Sequence, residues 1–155
     1  MRRILLVVFS LLVVGSATTA QARGKVNTKW HCAKQTADHS FAVGDVPNHS
    51  YMILQGACNA TSSDSGYAEK SGAYTEFREV WKETYTWHGR FSVTMGNGDM
   101  VYYTYEGTKP AANKWTINSG TGKHKGIKGS GTCTGTTHED GSSDWVCTGT
   151  YSMGK

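Results

Sequence analysis

From residue 28 onward, apolar and polar residues alternate in short segments separated by breaks rich in glycine, serine and aspartate. Strands of a sandwich or barrel, each with one buried face, leave this pattern. Residues 28–35 form the first such segment. Residues 50–61 form the second, with Tyr51, Ile53 and Gln55 alternating against Met52 and Leu54. Residues 62–66 (SSDSG) read as a loop. Residues 73–82 fit two periods, because Phe77, Val80 and Trp81 also make a helical stripe. Residues 85–95 and 100–107 flank Asn97-Gly98, the strongest hairpin signal in the chain. A two-residue turn there pairs Met95 with Met100, Val93 with Tyr102 and Phe91 with Thr104, leaving Thr94, Val101, Tyr103 and Tyr105 on the opposite face. Both faces carry apolar groups. One can fill a barrel, and the other is expected to meet a helix, a second sheet or another subunit. Residues 114–118, 127–136 and 144–153 bring the count to about eight strands, a number whose closed barrel holds side chains or one small ligand.

The N-terminus obeys a different rule. Arg2 and Arg3 precede a nearly continuous apolar run over residues 4–14, and Ala20-Gln21-Ala22 supplies a small-x-small cleavage site, the layout of a secretory signal peptide. The run is far shorter than the roughly 20 residues that span a bilayer. The expected organisation is therefore a signal peptide over 1–22 and one β-barrel domain over 23–155. No cysteine follows the apolar run as a lipoprotein acceptor, so the product is expected to be exported to a periplasm or the medium without a stable membrane anchor. Two Asn-x-Ser/Thr triplets, at Asn48 and Asn59, match the glycosylation pattern but recur by chance.

Removing the leader changes the composition. The whole chain has Lys+Arg 16 against Asp+Glu 12, and without Arg2 and Arg3 the formal charge falls from +4 to +2. The case for a nucleic-acid partner goes with it. The remaining 133 residues hold one leucine, Leu54, and 15 of Ile, Leu, Val and Met together, against 16 aromatics, 17 threonines and 18 glycines. Threonine and aromatics favour strands, and the aromatics supply buried area that aliphatics here do not. An all-β domain follows.

The four cysteines, Cys32, Cys58, Cys133 and Cys147, all lie in this part. An even count in a small exported domain argues for disulfides, with three connectivities open. A hairpin centred on Asp140 pairs Cys133 directly with Cys147, and one centred near Asp45 pairs Cys32 with Cys58. Directly opposed ladder positions lie within disulfide reach. Those two bonds are expected; the alternatives are four reduced thiols or a zinc ion on all four, for which no CxxC spacing exists.

The most biased stretch, GTGKHKGIKGSGTCTG at residues 120–135, lacks the phosphate-loop pattern and precedes a strand instead of a helix. Its glycines suit bulges and bends where a strand curls into a barrel. The stretch resembles the GTGxFxGxxGxG segment of the allene oxide cyclase and dirigent barrels and of exported bacterial proteins related to them. His124 stands where that pattern has an aromatic. VGDVPNHSYMILQGAC at 43–58 and NGDMVYYTYEGT at 97–108 are similar to the bacterial group, and the three pieces cover 44 of the 133 residues. The resemblance implies a single eight-stranded antiparallel β-barrel, often trimeric in the plant members, with roles that include both cyclisation and simple holding of substrates.

Candidate chemistry is sparse. Six histidines occur without HxH or HExxH spacing, so neither a metal site nor a cofactor is expected. The turn GDVPNH can bring Asp45 to His49, a pairing suited to acid–base work or to simple turn capping. Glu106 ends a tyrosine-rich segment and is a carboxylate for a barrel mouth, or a solvated one. Trp81, Tyr85, Trp87, Phe91, Tyr102 and Tyr105 can line an apolar pocket or build the core. The run Glu76, Arg78, Glu79, Lys82 and Glu83 reads as a solvated face, and Lys123, Lys125 and Lys128 as a small basic patch. Two functions stand. The favoured one is non-catalytic binding of a small apolar ligand or a partner, with a homo-oligomer left open. The other is a cyclase or isomerase using Asp45, His49 or Glu106 to move protons.

Overall fold

The computed structural model describes residues 22–109 and 112–154. The leader expected over residues 1–22 lies, apart from Ala22, outside them. Nine antiparallel strands follow one another: β1 (Arg23–Cys32), β2 (Ala37–Ala42), β3 (His49–Ser62), β4 (Glu69–Trp81), β5 (Thr84–Met95), β6 (Met100–Thr108), β7 (Asn113–Gly120), β8 (Lys128–Thr137) and β9 (Ser143–Ser152). Single 3₁₀ turns at Ser65–Tyr67 and Gly122–His124 are the only helical pieces among the described residues. The stretch 73–82, which fitted two periods, is strand as far as Trp81: it pairs residue by residue with β3 on one side and β5 on the other, and period two wins.

β1 pairs with both β9 and β3, so eight strands close into the all-β antiparallel barrel that the pattern suggested. β2 is the strand that the alternation did not reveal. It runs on along β3 where β1 stops: Cys32 faces Cys58, and after a link over 33–36, Ala37 faces Gln55. β9 ends level with Cys32, so β2 extends the wall on one side of one barrel end.

The register of β8 and β9 keeps Cys133 opposite Cys147 from end to end without a bulge. Both expected disulfides are present, Cys133–Cys147 joining β8 to β9 and Cys32–Cys58 joining β1 to β3 across the seam that closes the barrel. The β5–β6 register departs from expectation by one residue. Met95 N–H donates to Asp99 O at 2.8 Å, and Gly98 N–H to Met95 O at 2.9 Å. The loop is Gly96-Asn97-Gly98, with Gly98 at φ 87°, a left-handed position that glycine takes at no steric cost. Three loop residues in place of two pair Phe91 with Tyr103 and Val93 with Val101. A one-residue slip exchanges faces, so Tyr103 points inward and Tyr102 outward.

The barrel interior has two halves. Val26, Tyr67, Val93, Met95, Val101, Ile117 and Ile127, each at most 3% exposed, pack one end solid. Toward the other end the inward positions are mostly aromatic, and five of the large rings lie against a glycine directly across the ladder. Tyr74 faces Gly56, Trp87 faces Gly107, Tyr105 faces Gly89, Trp115 faces Gly131 and Trp145 faces Gly135. A Cβ on any of these glycines would overlap the opposing ring. This explains the β8 glycines of the glycine-rich stretch, whereas Gly122 and Gly126 ahead of them do serve a tight turn, at φ 51° and 78°. β8 is regular, and Gly129, Gly131 and Gly135 have no positive φ; the missing side chains of Gly131 and Gly135 are the room that Trp115 and Trp145 occupy. The same pairing makes a core possible with one leucine, since aromatics carry the buried area.

Candidate functional site

Above the packed end the interior opens into a cavity of about 720 Å³. Alternation of the strands decides what faces it. On β5 and β6 the inward set is Tyr85, Trp87, Phe91, Tyr103 and Tyr105; Trp30 on β1, Tyr74 on β4, Trp115 on β7 and Trp145 on β9 complete the aromatic wall. The rings lock one another edge to face. Trp30 meets Phe91 at 5.0 Å and 75°, and Tyr103 meets Trp115 at 5.7 Å and 79°. Such contacts hold aromatic side chains in fixed rotamers and leave a preformed space.

Two carboxyl groups enter this wall from β4; a bulge between Glu69 and Ser71 puts both on the inner face and leaves them six rungs, roughly 20 Å, apart along the strand. Glu69 sits at the floor, where β4 starts beside Met95. It is 7% exposed, accepts a 2.6 Å hydrogen bond from Tyr103 Oη and accepts another from Thr28 Oγ1. Tyr103 Oη is in turn 2.6 Å from Tyr67 Oη. Burial raises the Glu69 pKa above the ordinary value, and the two hydroxyl donors only partly oppose it. Burial likewise pushes the Tyr103 phenol upward, with the Glu69 charge adding to the effect.

Glu76 sits near the mouth. Its Oε1 accepts from Arg78 Nη2 at 2.6 Å and Arg78 Nε at 2.9 Å, and its Oε2 accepts from Tyr105 Oη at 3.2 Å. Arg78 lies over the Tyr85 ring at 4.7 Å, with Lys109 Nζ 5.5 Å from the same ring. Glu76 and Arg78 therefore face the interior, against the expectation of a solvated run. Glu79 does face outward. Positions i and i+2 on a strand share a face, and the Glu76–Arg78 spacing carried that signal once 73–82 was known to be strand.

Two more polar groups in the wall have no partner among the described residues, Trp115 Nε1 and Asn113 Oδ1. One is a donor and the other an acceptor, which a buried site normally satisfies.

The residues named from sequence divide between two sides of the wall. Tyr85, Trp87, Phe91 and Tyr105 line the cavity. Trp81 and Tyr102 do not: they are 41% and 37% exposed on the outer face, Tyr102 because of the register slip. Asp45 and His49 do come together, His49 Nδ1 lying 2.7 Å from Asp45 Oδ1, but outside the barrel. His49 Nε2 lies 3.0 Å from Glu79 Oε1, Tyr51 Oη donates to the same oxygen at 3.2 Å, and the Trp81 ring packs on the imidazole at 4.3 Å. Burial disfavours the charged imidazole, yet the hydrogen bonds to Asp45 and Glu79 outweigh it and raise the His49 pKa. The His49 bond holds Asp45 below its usual range. This cluster pins the β2–β3 turn to β4. Glu106 is also outside, between His88 and Lys114 on the neighbouring strands.

No family model matches the chain, and no curated protein does. Solved structures do. A pterocarpan synthase dirigent protein superposes with a TM-score of 0.57 over 96% of this chain and 98% of its own, at 10% identity. A pyocyanin demethylase gives a TM-score of 0.43 over 82% of this chain and 99% of its own, at 12% identity. At these identities the likeness to the dirigent protein concerns architecture, and in architecture the chain is a dirigent-like eight-stranded barrel.

Proposed function

We propose that this barrel is a non-catalytic binding protein for a small apolar ligand held among the aromatic rings. The cavity carries the reading. Its volume of about 720 Å³ falls inside the roughly 300–1,000 Å³ typical of small-molecule sites, and its wall joins fixed apolar rings to a few convergent polar groups. Trp115 Nε1 and Asn113 Oδ1, which have no partner among the described residues, are handles for orienting a bound molecule. Asp45, His49 and Glu106 all face away from the cavity, which favours binding over cyclisation or isomerisation. Two disulfides suit an oxidising, exported setting, and no helix among the described residues is long and apolar enough to cross a membrane.

Native mass spectrometry of the protein purified from its source tests this. A stoichiometric small molecule released from each barrel on activation is the expected result, and the same spectrum counts subunits. A bare polypeptide mass under gentle conditions speaks against it.

A further inference from the structure

Glu69 is the buried titratable group that the packing does not explain. Its carboxyl lies at the floor of the cavity, held by the hydroxyls of Thr28 and Tyr103, and among the described residues no cation pairs with it. The cationic side chains of the cavity, Arg78 and Lys109, are at the mouth, and Arg78 is already taken by Glu76. Around the floor stand the rings of Trp30, Phe91, Tyr103 and Trp115, linked in edge-to-face or tilted contacts. Aromatic faces present negative potential, and a dry site strengthens it. An apolar ligand without charge would use the rings and leave the carboxyl idle.

We infer that the cavity selects a small organic cation, a quaternary ammonium or protonated amine on an aromatic or apolar body, with its charge against Glu69 and its body among the rings. This rests on the proposed binding function and names the ligand class. The chemistry is complementary on both counts: the cation supplies the charge partner that Glu69 lacks, and weakly hydrated alkylammonium groups are the cations that aromatic cages hold best. Burying a carboxylate is costly when it is alone and much less so when it is paired. An anion would meet Arg78 and Lys109 only at the mouth and would be repelled from the floor.

The test uses three probes of one shape: phenyltrimethylammonium, its neutral isostere tert-butylbenzene, and benzenesulfonate, titrated against the intact protein by tryptophan fluorescence. The cation is expected to bind at least roughly tenfold more tightly than the isostere, with the sulfonate weakest. Glu69→Gln should remove the preference, bringing cation and isostere within about threefold of each other. Tyr103→Phe, which keeps both ring and carboxyl, should retain it. The wild-type comparison stands even if a variant fails to fold. If tert-butylbenzene binds as well as the cation, the inference is overturned and the binding function survives. If none of the probes binds, both fall.

Discussion

The Tyr103 hydroxyl donates a 2.6 Å hydrogen bond to the Glu69 carboxyl at the bottom of an aromatic cavity, and among the described residues no cation pairs with that carboxyl. A carboxyl so placed has a cost that depends on pH. Burial raises its pKa above the ordinary 4.5, so its favourable contribution is fully present below that value. It is lost as pH rises through the folded-state value. Thermal melts of the unliganded protein should therefore show Glu69→Gln gaining stability relative to the parent as the pH is raised from 4.5 toward neutrality. Each unit of pKa shift corresponds to about 1.4 kcal/mol. A difference that stays flat over this range would mean that Glu69 is charged and satisfied.

His49 has the opposite arrangement, an imidazole with acidic neighbours. Its pKa is raised above 6.5, so the charged imidazole helps the fold below that value, and the help disappears as pH rises through the folded-state pKa. An NMR titration should place the His49 ring above 6.5, and Glu79→Gln should lower it. A value at or below 6.5 would contradict the three-residue cluster.

The glycines opposite the rings make a sharper mutational prediction. Gly131→Ala should destabilise by about 1–3 kcal/mol in chemical denaturation, because the added methyl overlaps the Trp115 ring and the Thr148 carbonyl. Gly66→Ala is the control: no atom lies within 4 Å of its added Cβ, and the change should be within about 1 kcal/mol of neutral. Equal effects at the two sites would remove the ring-over-glycine account of the core.

Each disulfide closes a loop in the unfolded chain. Replacing Cys133 and Cys147 by alanine opens a separation of 14 residues and should cost about 3 kcal/mol. Replacing Cys32 and Cys58 opens 26 residues and should cost about 3.5 kcal/mol. The second change also loosens the β1–β3 seam. Hydrogen exchange should therefore quicken at Ala57 and Asn59 in that variant and remain slow there in the first.

Much of this fold could be read directly from residue order. Alternation marked most of the strands, and the hairpin centred on Asp140 matched the observed β8–β9 register; Cys32 does face Cys58, but across the β1–β3 closure and not in a hairpin, because β2 is the strand that turns back onto β3. What failed was local. Asn97-Gly98 signals a hairpin but does not say whether two or three residues form its loop, and that one residue exchanged Tyr102 for Tyr103 on the inner face. The site was harder to see. Glu69 lies 34 positions from Tyr103, on strands that are joined only through β5. Trp115 and Trp145 belong to the cavity because Gly131 and Gly135 face them, a relationship between strands that no single segment displays. Asp45 and His49 were correctly seen as neighbours, but which side of the wall they occupy depends on the closed sheet.

The most direct test of the cavity as a binding site is a fluorescence titration with N-phenyl-1-naphthylamine, comparing the parent with Asn113→Trp, whose added ring would fill the space beside Trp115. The account predicts saturable binding of one dye per barrel by the parent, energy transfer from the lining tryptophans, and affinity weakened by at least about tenfold in the variant. Dye uptake that is absent, unsaturable, or equal in the two proteins would contradict it.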